Sequence, residues 1–411
     1  MSVPGVVADS AEASALRAKM VDGLLGWGGI RSAAVEAAMR TVPRHLFVPD
    51  APLERAYSTD SVVTHRDEGG IAISSASGPG VVSGMLDQMD VHPGHRVLEV
   101  GAGTGYNAAC LAELAGPSGA VTTIDIGAEM VADARRGLMA AGYGRVRVIC
   151  GDGAEGYGGD APYDRITVTA GAWEVMPAWR GQLAPGGRLV VPLRVRGVTR
   201  TVALERDGDG WRSVSLNECG FMPMRGPLAV EERDVELPPA TGVRIRVDDG
   251  LPADFEALGK ALSGPPSLVW PGVVVPWKPL DHLDFWLAGT SAQVCRVIVL
   301  GRALEAGLVP PLYAWGSMGC YSGGTLGYMT RRPAGDSGGQ EMMELGACAY
   351  GPDAQRLASE IAGRIRAWQQ AGPGPSGLRI EVHPAGKPVN AQAMLTAEKR
   401  HGTVLVIQDP A

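Results

Sequence analysis

Val97-Leu98-Glu99-Val100-Gly101-Ala102-Gly103-Thr104-Gly105 decides the fold. From Arg96 to Val100 the chain is a short, mainly apolar run, the pattern of a buried strand. Glycine then occupies alternate positions, and a helical stretch follows from about Tyr106 to Leu114. Without Cβ atoms, such a turn lets the backbone approach a ligand closely. The spacing is G-x-G-x-G, not the G-x-G-x-x-G that cradles a pyrophosphate in dinucleotide folds.

Outward from this turn the pattern alternates. Ala120 to Asp125 reads as a second strand, followed by a helix from about Ala128 to Ala141. Val146 to Ile149 and Tyr163 to Val168 read as the third and fourth strands. A helix around Met176 to Leu183 and Gly186-Gly187 lead to a fifth, Arg188 to Leu193. Strands alternating with helices predict an α/β fold with a Rossmann-like, doubly wound parallel sheet. Upstream, residues 10 to 40 read as helical up to Pro43, and residues 44 to 76 as loop-rich. Downstream, Val202 to Glu205 and Trp211 to Ser215 flank Asp207-Gly208-Asp209-Gly210, a hairpin signal.

A chain of 411 residues is long for one core, so two domains are expected. The first spans 1–226. Residues 227–242, acidic and proline-containing, read as a linker. Residues 243–411 read as a smaller α+β domain. Its strand-like pieces are Val294 to Leu300, Leu378 to Val382 and Thr403 to Gln408, and its best helix is Asp353 to Gln369. A 45% apolar and 20% charged composition suits a soluble globular protein. A net charge of −7 without a basic stripe argues against a nucleic-acid partner. No apolar run approaches the roughly 20 residues that span a bilayer. The first residues lack a secretory pattern, so a cytoplasmic location is expected. The six cysteines form no C-x-x-C pair and sit beside no histidines at ligand spacing, which predicts free thiols and no metal. The sequence carries no signal for an oligomeric state.

Asp125 ends the second strand, 24 residues after Gly101, where an acid can hold two ribose hydroxyls. Asp152-Gly153 follows the third strand, where a carboxylate and a backbone amide can meet an adenine. Either acid alone reads more simply as a solvated loop residue. Together with the glycine turn they occupy the carboxyl edge of one sheet, where open α/β sheets bind ligands. With no pyrophosphate to cradle, the expected ligand is S-adenosyl-L-methionine, with S-adenosyl-L-homocysteine as product. Its expected contacts are Glu99, Gly101, Ala102, Gly103, Thr104, Gly105, Tyr106, Asp125, Ile126, Asp152, Gly153 and Thr169.

Val42-Pro43-Arg44-His45-Leu46-Phe47-Val48-Pro49 resembles the opening motif of the protein-L-isoaspartate O-methyltransferase family. Ser77-Gly78-Pro79-Gly80-Val81-Val82-Ser83-Gly84-Met85 resembles its S-x-P-x-x-V-A-x-M segment. Gly105-Tyr106-Asn107-Ala108, Tyr163 to Ala170, Leu183 to Pro192 and Gly220-Phe221-Met222-Pro223-Met224-Arg225-Gly226 are similar to later motifs. The resemblance covers about residues 10 to 226. It implies a class I S-adenosylmethionine-dependent methyltransferase fold and a carboxylate acceptor. It also implies catalytic Ser77 and Ser75, with Ser74, Ser75, Ser77, Gly171 and Trp173 near the acceptor. Two departures lie there: the family's T-I-S reads Ser75-Ala76-Ser77, and Gly171-Ala172-Trp173-Glu174 follows the fourth strand.

The C-terminal block resembles an extension on family members encoded with ribosomal peptides, especially lanthipeptides. The matching pieces are Asp281 to Leu287, Gly351-Pro352-Asp353, Glu381 to Gly386 and Glu398-Lys399-Arg400-His401. This likeness implies methylation of an aspartate in a modified precursor peptide, leading to succinimide and isoaspartate. The alternative is general repair of isoaspartate in damaged proteins. Trp286, Tyr313, Trp315, Tyr321 and Tyr328 read as core residues or as anchors for a bound peptide.

Overall fold

The computed structural model describes residues 9–226, 233–239, 241–247, 253–277, 280–372, 377–386 and 392–408. The chain forms two compact units, Met1–Leu193 with Thr199–Ala229, and Arg194–Val198 with Val230–Ala411.

In the first unit, the Ser10 side chain caps α1 (Ala11–Gly26) and Ser32 caps α2 (Ala33–Thr41). The single helical stretch expected over 10 to 40 is thus two helices. Gly28, with φ +78°, lies in the break. The stretch expected to be loop-rich contains a 3-10 turn, Arg44–Phe47, and α3 (Leu53–Ala56). It also holds an antiparallel hairpin of β1 (Val62–Arg66) and β2 (Ala72–Ala76). Pro79 opens α4 (Pro79–Met89), a position where its missing N–H costs nothing.

The alternating segment then runs β3 (Arg96–Val100), α5 (Tyr106–Ala115), β4 (Ala120–Asp125), α6 (Ala128–Ala140), β5 (Arg147–Cys150) and β6 (Tyr163–Val168). It continues through α7 (Pro177–Gln182), β7 (Leu183–Val195), β8 (Val198–Asp207) and β9 (Gly210–Glu218). Strand order in this unit is β9-β8-β7-β6-β3-β4-β5. The pairs β7/β6, β6/β3, β3/β4 and β4/β5 are parallel, and β8/β9 is the antiparallel hairpin. This is the α/β, class I methyltransferase-type sheet. Chain order reverses between β3 and β6, which creates the switch point where such sheets bind ligands. Val97, Leu111, Val121, Ala134 and Val190 belong to one apolar cluster with Val35, Met39 and Phe47 from the N-terminal helices.

The second unit is richer in strand than expected. After β10 (Arg233–Glu236) and β11 (Val243–Val247) come α8 (Phe255–Ala261), β12 (Ser267–Pro276), α9 (Asp281–Thr290) and β13 (Val294–Val299). There follow α10 (Gly301–Glu305), β14 (Ser317–Ser322), β15 (Thr325–Ser337), β16 (Gln340–Tyr350) and α11 (Ala354–Gln370). β17 (Leu378–Pro384), β18 (Leu395–Lys399) and β19 (Gly402–Gln408) end the chain's regular structure. Seven strands form an antiparallel sheet in the order β10-β11-β13-β14-β15-β16-β12, while β19 pairs with both β17 and β18. Helix α11 buries Leu357, Ile361 and Ile365 on one face. A Cβ on Gly327 of β15 would lie 2.8 Å from Ile361, so glycine lets the helix settle on the strand.

The expected linker needs correction. Residues 227–232 and 240 lie outside the described residues. Of the remainder, Arg233–Glu236 is a strand, Val235 pairs with Ile245, and Leu237 is fully buried. Acidic neighbours had hidden the apolar alternation at Val235 and Leu237. Among the five aromatics, Tyr313, Tyr321 and Tyr328 are buried, whereas Trp315 is 54% exposed.

Candidate active site

Four adjacent strands deliver the site. Glycine 101 follows β3, Asp125 ends β4, Asp152 follows β5 and Thr169 follows β6, all at the carboxyl edge. The Gly101 amide donates to Ile124 (2.7 Å) and the Thr169 amide to Val100 (2.8 Å), so the ladder fixes the start of the turn.

The three glycines serve different ends. Gly101 has φ +104°, and a Cβ there would lie 2.3 Å from Thr169 Oγ1. That hydroxyl donates to the Gly101 carbonyl at 2.6 Å and the Val100 carbonyl at 3.1 Å, tying β6 to the turn. Gly105 has φ +88°, and its Cβ would press on the Ala134 backbone of α6 at 3.1 Å. Only Gly103, with φ +49°, has room, its nearest neighbours being Ser74 Oγ and Ser75 O at 3.9 Å. Gly103 is therefore the one of the three glycines with room at its Cβ position, and the end of β2 lies beside it. Gly101→Ala should cost the left-handed penalty of about 1–2 kcal/mol plus a clash with Thr169. A melting temperature lowered by at least about 2–4 °C is expected by thermal unfolding. An unchanged value would contradict this packing.

The Asp125 carboxylate accepts the Gly103 amide and the Gly127 amide, each at 3.0 Å. Ile126 beside it is 38% exposed. Asp152 accepts the Ala154 amide at 2.9 Å, and the Trp179 indole donates to the Gly153 carbonyl at 2.8 Å. Residues after β9 close this edge. The Met224 amide donates to the Gly171 carbonyl and the Gly171 amide to Met222. Gly226 sits where a Cβ would be 3.1 Å from Ile126 and 3.3 Å from Asp152 Oδ1. The sequence motif at 220–226 was legible, but its place against Asp152 was not.

Several expected contacts are corrected. Glu99 is 0% exposed, and its two oxygens accept Asn107 Nδ2 (2.8 Å) and Thr123 Oγ1 (2.6 Å). It braces β3, β4 and α5 beneath the turn and presents no surface to a ligand. Tyr106 turns its ring into the core against Phe47. Gly171 is buried with both backbone groups taken, and Trp173 is 6% exposed, so neither faces an acceptor openly. Ala102 and Thr104 are largely buried within the turn. Asn107, Thr123 and Arg44 were missed as supporting residues, because sequence spacing does not show which polar groups meet inside a core.

Burial pushes the Glu99 carboxyl from 4.5 up to about 7, against the pull of its Thr123 and Asn107 hydrogen bonds. A carboxyl with a raised folded-state pKa binds its proton more tightly in the fold than in the unfolded chain. Its contribution is complete below about 4.5 and is lost as pH rises through about 7. Relative to Glu99→Gln, the natural chain should lose up to about 3 kcal/mol of stability across that window. Denaturant unfolding of both proteins at about pH 5 and about pH 8 measures it. A difference independent of pH would refute the buried-acid account.

Ser74, Ser75 and Ser77 surround the junction of β2 and α4. Ser74 Oγ accepts Thr64 Oγ1 at 3.1 Å. Helix α4 is capped by Gly78 without a side-chain cap bond, so Ser77 is not a capping serine. Its carbonyl accepts Arg44 Nη2 at 2.7 Å, and its half-buried hydroxyl makes no hydrogen bond among the described residues.

The sequence family described as protein-L-isoaspartate(D-aspartate) O-methyltransferase matches residues 15–228, just over half the chain. The chain belongs to this family. A protein-L-isoaspartate O-methyltransferase of Methanopyrus kandleri is 41% identical over 218 residues, covering 53% of this chain and 94% of that one. One of Hyperthermus butylicus is 39% identical over 229 residues, covering 54% and 92%. A solved structure bearing the same name aligns with a TM-score of 0.49 and 22% identity, over 89% of this chain and 96% of that chain. As a member of the family, the protein is an S-adenosylmethionine-dependent O-methyltransferase. Among the described residues, no cluster of His, Cys, Asp and Glu could hold a metal, and no helix is long and apolar enough to cross a membrane.

The site fits that cofactor. The opening at Gly103, Asp125 with its carboxylate already anchored by two amides, and Asp152 at the neighbouring strand end form one continuous edge.

Proposed function

We propose that this enzyme methylates an aspartate side-chain carboxylate in a ribosomally made, modified precursor peptide of the lanthipeptide type. The second unit, which contains residues 243–411, binds that peptide. The observation carrying this reading is the compact unit that follows the matched sequence region. The family match ends at residue 228, yet Val230–Ala411 belongs to a compact unit with its own sheet and apolar cluster.

In this reading Gly103 receives the amino-acid end of the cofactor, Asp125 the ribose hydroxyls, and Asp152 with Gly153 the adenine. Ala102, Thr104, Ile126 and Thr169 shape the edge around them. When bound, S-adenosylmethionine supplies an electrophilic methyl group that an ionised carboxylate accepts without a base, leaving S-adenosylhomocysteine. The chain's task is alignment and exclusion of water. The Ser77 hydroxyl donates to one acceptor oxygen and leaves the other free to react, with Ser75 and Ser74 flanking it. The resulting methyl ester is a better electrophile than the carboxylate. The next backbone amide nitrogen attacks its carbonyl, methanol leaves, and the succinimide formed hydrolyses to aspartate and isoaspartate.

General repair of isoaspartate is the second reading. It is favoured by relatives that align over nearly their whole length with the first unit. Labelled S-adenosylmethionine incubated separately with an unrelated isoaspartyl peptide and with an aspartate-containing, lanthionine-bearing precursor peptide separates the two. Methylation of the precursor with little turnover of the isoaspartyl peptide is expected. Robust turnover of arbitrary isoaspartyl peptides would overturn the dedicated-substrate reading.

A further inference from the structure

Arg44 is 0% exposed, and no carboxylate pairs with it among the described residues. An unpaired cation is costly to bury, and burial pushes this guanidinium below its ordinary value. Its partners are backbone carbonyls and a ring. Nε donates to Ala56 at 2.8 Å, and Nη2 to Ser77 at 2.7 Å and Ala76 at 3.4 Å. The guanidinium lies 4.8 Å from the centre of the Tyr106 ring, at the start of the helix that follows the glycine turn. Nη1 has no hydrogen-bond partner among the described residues.

A core could accommodate a methionine here without the desolvation cost. What the guanidinium adds is geometry. One rigid fork holds α3, the end of β2 and the Ser77 peptide in register. The fork also stacks on Tyr106, whose chain neighbour Gly105 closes the turn. Ser77 lies between Ala76, buried in the core, and Gly78, whose backbone is hemmed in by the Thr59 carbonyl, where a Cβ would lie 2.8 Å away. The Ser77 carbonyl is thus fixed while its hydroxyl stays uncommitted.

We infer that Arg44 is the positioning residue for Ser77, clamping its carbonyl so that its hydroxyl faces the acceptor carboxylate. The inference rests on the acceptor role given above to Ser77. It requires that Arg44 act through Ser77 rather than on the cofactor or on the fold at large.

The test compares the natural enzyme with Ser77→Ala, Arg44→Lys, Arg44→Met and the two double variants. The first readout needs no activity: amide hydrogen exchange of the cofactor-free chain. Both Arg44 variants should speed exchange at residues 76–82 and leave the central strands protected, and Ser77→Ala should leave exchange unchanged in both regions. The second readout is kcat, on whichever of the two peptides above the natural enzyme methylates. Arg44→Met should lower kcat on the order of 100-fold, the size of loss from a misplacement near 1 Å. Arg44→Lys, which keeps the charge but not the fork, should lose about tenfold. Cofactor Kd should stay within about twofold, well below the tenfold that 1.4 kcal/mol represents. On the Ser77→Ala background neither Arg44 change should lower kcat further.

Losses that multiply on that background would overturn the inference, as would equal loss of cofactor affinity. So would exchange that is unchanged at 76–82 or raised throughout the unit. Failure of both Arg44 variants to fold would make Arg44 a residue of the fold and also overturn it. Natural turnover in Ser77→Ala alone would instead sink the role of Ser77, a distinct result.

Discussion

Ser77→Ala should leave S-adenosylmethionine affinity unchanged and lower methyl transfer on the order of 100-fold, the scale of loss when a near-attack geometry is relaxed. The argument starts from the unused hydroxyl. Ser77 does not cap α4, which has Gly78 at its N-cap, and its side chain makes no hydrogen bond among the described residues. Removing it should cost the fold little, since surface-type changes without partners stay within about 0.5 kcal/mol. The backbone of Ser77 stays clamped by Arg44 in the variant. What disappears is the donor proposed to hold one acceptor oxygen while the other reacts. Single-turnover methylation and calorimetry on the same preparation check both halves. Natural turnover would remove Ser77 from the mechanism.

Asp125→Ala should do the reverse, weakening cofactor binding roughly 10- to 100-fold, as expected for hydrogen bonds to a charged group worth about 1.5–3 kcal/mol. The carboxylate has two tasks. It accepts the Gly103 and Gly127 amides, which pins the only open position of the glycine turn to the end of β4. Its remaining lone pairs are the proposed ribose acceptors. Asp125→Asn keeps the shape but loses the charge and one acceptor, so an intermediate loss is expected. Titration calorimetry with S-adenosylmethionine measures all three proteins. Intact affinity in Asp125→Ala would refute the ribose assignment.

These two residues mark what the sequence made legible. Asp125 was readable because a strand ending in an acid, at a fixed distance from a glycine turn, dictates a position on the sheet edge. Ser77 was readable only through a motif, since a serine before Gly-Pro looks like any turn. Glu99 shows the opposite failure. Its place beside the turn is plain in sequence, but alternation along β3 cannot tell a ligand-facing acid from one buried between Asn107 and Thr123. The β1–β2 hairpin escaped notice because Thr64, His65, Ser74 and Ser75 break its apolar alternation. In the second unit, Gly323-Gly324 and Gly338-Gly339 turn the hairpins β14–β15 and β15–β16, which the sequence reading did not pick out. Their φ values between +50° and +82° explain why glycine stands there. Within the expected 227–242 linker, β10 went unread because charge masked a two-residue apolar period.

The central claim is that a side-chain carboxylate receives the methyl group. The most direct measurement uses methyl-labelled S-adenosylmethionine with the precursor or isoaspartyl peptide, then follows the labelled product in mild base. The account predicts a base-labile ester that releases labelled methanol as the peptide closes to a succinimide. A label that survives base treatment on the peptide would place the methyl on nitrogen or sulfur and contradict the account.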